Sequence, residues 1–208
     1  TYSAGPASSV EAAVKTDNHG RVTAAALGRF TLLNTDLQIL AGITDNDYFT
    51  AGTGWSGAIG SVSVRGEATL FTPFENAGGE KSTLIATLGV DKAFSDKLTA
   101  LAQVMYSNNP ADLTGFTDLY EGGLTARQLA FSKFSAAGQV SYSPVPLVTI
   151  SLSAIWYPDL DGFYAGPSVE CSLAENVDFS FLWQHFNSTI AGEETRINLG
   201  FIRIRYSF

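Results

Sequence analysis

Apolar and polar residues alternate with period two along nearly the whole chain, in runs broken by short turn-rich stretches, and that period predicts β-strands rather than helices. In "VTISLSAIW", Val148, Ile150, Leu152, Ala154 and Trp156 point one way, and Thr149, Ser151 and Ser153 the other. "FYAGPSVECSL" sets Phe163, Ala165, Pro167, Val169, Cys171 and Leu173 against Tyr164, Ser168, Glu170 and Ser172. "VDFSFLWQ" and "SVSVRGEATL" repeat the pattern. So does the end of the chain, where Ile202, Ile204 and Tyr206 alternate with Arg203, Arg205 and Ser207 before a terminal Phe208. About twelve strands follow, near 8–16, 21–33, 36–44, 48–56, 61–72, 82–94, 98–107, 129–143, 147–157, 162–173, 177–188 and 194–207.

The breaks between them differ in kind. "NTD" (34–36), "GAIG" (57–60), "SDK" (95–97), "SPVP" (143–146) and "AEN" (174–176) are tight and fall at one end of the strands. The longer stretches 107–127, 74–81 and 187–194 fall at the other. Short turns at one rim and long loops at the other are the arrangement of transmembrane β-barrels.

Composition decides what lies outside the apolar faces. In a soluble barrel the polar face meets bulk water and is rich in Lys and Glu. Here that face is mostly Ser, Thr, Gly and Gln, and charged residues are only 15% of the chain. Many acidic residues sit instead in presumed loops, among them Asp17, Asp45, Asp47, Asp159, Asp161 and Glu194. Aromatic residues lie near strand ends on the apolar face, including Phe49, Trp55, Tyr106, Tyr142, Trp156 and Phe163, as interfacial girdles require. The expected fold is therefore all-β: an up-and-down antiparallel transmembrane barrel of about twelve strands, with a soluble barrel as the fold-level alternative. An even strand number would let the first and last strands close antiparallel.

No stretch is long and apolar enough for a transmembrane helix, and the first residues do not read as a signal peptide. No linker divides the sequence, so residues 1–208 read as one barrel domain, with the C-terminal part of a larger barrel as the open alternative. A net charge of −8 argues against a nucleic-acid partner. The single cysteine, Cys171, cannot form an internal disulfide, and no Cys/His cluster has metal-ligand spacing, so neither cofactor nor metal is expected.

The alternation and the ending Ile202, Ile204, Tyr206 and Phe208 resemble Gram-negative outer-membrane β-barrels, and segments such as "GWSGAIGSVSVRGEATLF" look porin-like. The resemblance implies a bacterial outer membrane, short periplasmic turns, longer extracellular loops, and lipid and lipopolysaccharide as surroundings. It also implies recognition of Ile204, Tyr206 and Phe208 by the barrel-assembly machinery, and a homo-oligomer or larger membrane complex as an option. A porin-like channel for passive diffusion of small solutes is the expected function. A narrow or plugged barrel with a structural, adhesive or assembly role is the first alternative, and an outer-membrane lipid hydrolase the second.

With apolar faces outward, the lumen would receive Glu11, Lys15, Arg65, Glu67, Asp91, Lys133, Gln139, Glu170, Arg203 and Arg205. Arg203 and Arg205 would sit near Asp178 and Glu11, either as salt bridges fixing a closing seam or as a field screening solutes. The stretch 107–127 is either a constriction folded into the barrel or an exposed loop with Phe116 and Tyr120 on the rim. The acidic rim is a solvated face or a bridge through divalent ions to lipopolysaccharide. "DND" (45–47) and "DLD" (159–161) are too short for calcium loops. For catalysis, His185 shares the outward parity of Phe181 and Trp183, but the next residue on that face is Asn187, with Ser188 on the other face or in the loop. His19, in "DNHG", has no evident partner. No nucleophile and base pair is therefore predicted, and the chain reads as non-enzymatic.

Overall fold

The computed structural model describes residues 2–5, 8–74, 81–111, 125–190 and 192–208. They form one antiparallel sheet of thirteen strands in which every strand lies beside its neighbours in sequence. The strands are β1 (Tyr2–Gly5), β2 (Ser8–Thr16), β3 (Val22–Leu32), β4 (Thr35–Thr44), β5 (Tyr48–Ile59), β6 (Val62–Pro73) and β7 (Thr83–Ser95). They continue with β8 (Leu98–Ser107), β9 (Phe134–Val145), β10 (Val148–Tyr157), β11 (Gly162–Ala174), β12 (Val177–Ile190) and β13 (Glu193–Tyr206). Twelve of them are the strands the alternation predicts. The short β1 is additional and lies beside β2 at one edge of the sheet.

At one rim, two-residue turns join the strands at Leu33–Asn34, Gly60–Ser61, Asp96–Lys97, Pro146–Leu147 and Glu175–Asn176. Leu33 and Asn34 both have positive φ, 50° and 60°, the primed backbone whose twist matches that of the flanking strands. At the other rim one expectation fails. The stretch 187–194 is a tight hairpin, because "NSTI" prolongs β12 until Ile190 pairs with Glu193. Its Asn187 to Ile190 segment keeps the ladder because Thr and Ile favour extended backbone.

The register gives the sheet two faces. One cross-strand row runs Leu37, Trp55, Gly66, Leu88, Val104, Ala136, Trp156 and Phe163. The row beside it runs Arg29, Gln38, Gly54, Glu67, Thr87, Met105 and Ser135. The apolar face stays exposed: Leu152 is 53% accessible, Trp156 57% and Ile204 69%. Among the described residues the buried apolar side chains are Tyr48, Phe71, Ile85 and Ala130, far too few for the core of a water-soluble domain of this size.

On the apolar face Trp55 lies flat over its cross-strand partner Gly66. A Cβ at that glycine would stand 2.2 Å from Trp55 Cζ2, so the missing side chain is what lets the indole cover the strand.

Candidate functional site: the polar face and the segment packed on it

Following the register from strand to strand puts Glu11, Lys15, Arg65, Glu67, Asp91, Gln139, Glu170, Arg203 and Arg205 on the same face. Arg29, Asp36 and Asp178 join them. Arg29 was missing from the sequence-based set although it shares parity with Thr23 and Thr31. Lys133 does not belong to it. β9 begins only at Phe134: the Lys133 carbonyl still accepts from β8, but its N–H donates to Asp159 Oδ2 at 2.6 Å instead of to a neighbouring strand.

These charges are unevenly distributed. All except Lys15 lie in the halves of their strands that adjoin the two-residue turns. Three local ion pairs neutralise much of that zone: Arg29 with Glu11 at 2.5 Å, Arg65 with Asp91 at 2.5 Å, and Arg205 with Asp178 at 3.2 Å. The last is the contact expected from the sequence. Glu11 is not: it pairs within the β2–β3 hairpin and not with the arginines of β13, which lie at the opposite edge of the sheet. Among the described residues Glu67, Glu170 and Arg203 have no ion-pair partner. A cavity of about 640 Å³ opens beside Arg29, Gln38, Arg65, Glu67 and Gln103, floored by Gly54 and Gly89.

The other half of the polar face carries Lys15 at its exposed β2 edge and is covered from β5 to β9. Tyr48, Thr50, Phe71, Thr83, Ile85, Ser107, Ser135 and Ser188 are its buried side chains, each no more than 8% exposed. Much of the cover comes from the connection between β8 and β9. Its described part, Thr125–Lys133, lies against Gln103, Met105, Ala137, Ile155 and Tyr157 and leaves a cavity of about 250 Å³. The backbone N–H of Ser107 donates to Lys133 O at 2.8 Å, and that of Ala111 to Ala130 O at 2.7 Å, so the segment runs on from β8 as an extra turn of ladder. Ala130 and Ser132 are each 2% exposed.

Two anchors hold it. Near β9, the Asp159 carboxylate accepts hydrogen bonds from Ser132 Oγ, from Lys133 N at 2.6 Å and from Phe134 N at 3.3 Å. Desolvation raises the Asp159 pKa, but the hydrogen bonds from Ser132, Lys133 and Phe134 outweigh it and hold the carboxyl below its ordinary value. The turn that carries it, Pro158–Leu160, is steadied by Ser188 Oγ of β12, which donates to Leu160 O at 3.2 Å. At the far end the Arg127 guanidinium stacks 3.8 Å from the ring centroid of Tyr48, which is on β5. The segment thus bridges from β9 across to β5. The sequence placed the candidate constriction at 107–127; residues 112–124, with Phe116 and Tyr120, lie outside the described residues, and the inward packing is seen in the residues that follow.

His185 lies on the apolar face, its Nδ1 within 2.8 Å of Asn198 Oδ1 and its ring near Trp183 and Phe163. Ser188 is on the opposite face from this histidine. His19 donates its backbone N–H to Asp17 Oδ1 at 2.8 Å. Asp17 is held below the usual carboxylate range chiefly by the backbone N–H of Arg21, against an opposing desolvation, with the Arg21 guanidinium adding to the effect. Among the described residues no group of acidic, His and Cys side chains could hold a metal ion, and Cys171 is a free thiol on the apolar face.

Comparison with solved structures bears on the fold. The chain is similar to the outer membrane channel DcaP of Acinetobacter baumannii, with a TM-score of 0.61 and 13% identity over 97% of this chain and 72% of that one. Against a mutant Rh. blastica porin the TM-score is 0.53 at 14% identity, covering 89% of this chain. An engineered protein described for asymmetric conductivity gives 0.55 at 15% identity, covering 93% of this chain and 59% of that one. The sheet shares the antiparallel meander fold of these porin-like barrels. The chain spans about half the length of the Rh. blastica porin, 55% of it. No protein-family model matches the sequence, and no curated protein does.

Proposed function

We propose that this chain forms the wall of a β-barrel channel in a bacterial outer membrane, through which small solutes diffuse passively. The observation that carries the proposal is the two-faced sheet: an apolar face left open from β2 to β13, as lipid contact requires, and a polar face bearing the charges. In this reading residues 1–208 act as one barrel domain. Glu11, Lys15, Arg65, Glu67, Asp91, Glu170, Arg203 and Arg205 line the path, and the segment Thr125–Lys133 narrows it. The wall charges set ionic preference. Ile204 and Tyr206, exposed on β13, and Phe208 just beyond it serve as the signal for barrel assembly. The acidic loops meet lipopolysaccharide. No catalytic step is part of the proposal.

Single-channel recording in planar bilayers tests it, on protein whose migration shifts on boiling as that of an intact barrel does. Discrete conductance steps are expected, and their absence with folded protein would overturn the channel reading. A second reading, a plugged barrel with a structural or assembly role, is favoured by the cover over the loop-side half of the polar face, and the same recording separates the two.

A further inference from the structure

On β11 to β13 a single cross-strand row reads Glu170, Ser180, Arg203. Two strand spacings separate the carboxylate-bearing residue from the guanidinium-bearing one, about 10 Å between their backbones. Long side chains could close that gap, yet they form no ion pair, and Asp178, the other carboxylate within reach of Arg203, is already held by Arg205 at 3.2 Å. One negative and one positive charge therefore remain facing each other across a cavity of about 370 Å³ floored by Ser180. The next row toward the loop rim reads Ser168, Leu182, Phe201, so it is apolar on β12 and β13, and Leu199 follows on β13.

We infer that this row is a seat for a zwitterionic α-amino acid with an apolar side chain. The solute carboxylate meets Arg203, the ammonium meets Glu170, Ser180 fills the remaining hydrogen bond, and the side chain lies on Leu182 and Phe201. Charge-assisted hydrogen bonds from fixed partners supply orientation, and the apolar step supplies burial. The inference deepens the channel proposal by naming a solute class, and rests on it for what happens after binding.

Isothermal titration of L-leucine into the folded protein in detergent tests the seat directly. Saturable binding is expected, weakened about tenfold or more by Arg203→Gln and by Glu170→Gln, since each removes one charge-assisted contact. Isovalerate, which lacks the ammonium group, and isoamylamine, which lacks the carboxylate, should each bind the unaltered chain about tenfold more weakly than leucine. Because this last comparison uses no variant, it stands even if a substitution impairs folding. Absent leucine binding, equal binding of all three solutes, or indifference to both substitutions would overturn the seat. Conductance recorded on the same preparation keeps the two proposals apart: steps without leucine binding remove the seat alone, and binding without steps supports the seat and removes the channel.

Discussion

The two halves of the polar face share a register and a backbone, yet they solve different problems. Beside the two-residue turns, arginines and carboxylates stand exposed, and no described segment packs over them. Beside the loops, the same face carries Tyr48, Phe71 and Ile85 among hydroxyls, all buried, and Thr125–Lys133 packs there against Met105, Ile155 and Tyr48. The difference teaches that the covered half behaves as the interior of a small domain while the open half behaves as a solvated surface. A substitution of one chemical type should therefore have opposite consequences in the two.

Placing one lysine in each half is the strongest way to break the comparison. Ile85→Lys puts an unpaired ammonium at an 8% exposed position and should cost about 3 kcal/mol or more. Ser56→Lys, exposed among the turn-side charges, should stay within about 0.5 kcal/mol. Equal losses, read from the temperature at which heat-modifiable migration disappears, would show that the halves are not distinct. Next in size is the anchor. Asp159→Ala removes the acceptor for three hydrogen bonds and should weaken the segment by about 1–3 kcal/mol. Faster amide exchange at Lys133 and Phe134 and a larger single-channel conductance are the expected readouts.

Acid should produce a milder version of the same change. The folded-state pKa of Asp159 is depressed, so its contribution is complete above the ordinary carboxyl value of about 3.9 and fades as pH falls through the lower folded value. Conductance should accordingly be flat from pH 7 to about 5 and rise only in strong acid, and Asp159→Ala should abolish that rise. The smallest effect belongs to the open half. Arg205→Gln breaks an ion pair whose side chains are 59% and 49% exposed, so screening should hold its cost to about 0–1 kcal/mol. A measured loss of several kcal/mol would mean that this zone, too, is covered in the membrane.

Strand positions were legible because period two is a local signal. Ser168 and Val169 declare opposite faces without reference to anything distant, and the pattern repeats often enough to average out errors. The first strand was not, since "YSAGP" offers glycine and proline where a strand would show branched residues. The start of β9 was misplaced for a different reason. Alternation in "LAFSKFSAA" reads as strand from 129, but Asp159, at least 25 residues away in sequence, captures the amides of Lys133 and Phe134. No window along the sequence contains both partners. The same holds for Arg127 and Tyr48, whose stacking unites a loop and a strand far apart in the chain. Charges on the polar face could be listed from parity, but which of them pair depends on register, and so the free Glu170 and Arg203 emerge only from the fold.

The strut from Asp159 to Tyr48 has a further property in the channel reading. Its far end carries a guanidinium, so an electric potential across the membrane exerts force on it. One elementary charge moved through the full field is worth about 2.3 kcal/mol per 100 mV, and a partial excursion proportionately less. The cation–π contact with Tyr48 is one of the contacts that hold Arg127 and is worth about 0.5–2 kcal/mol by itself, a range that 100 mV acting on the guanidinium reaches.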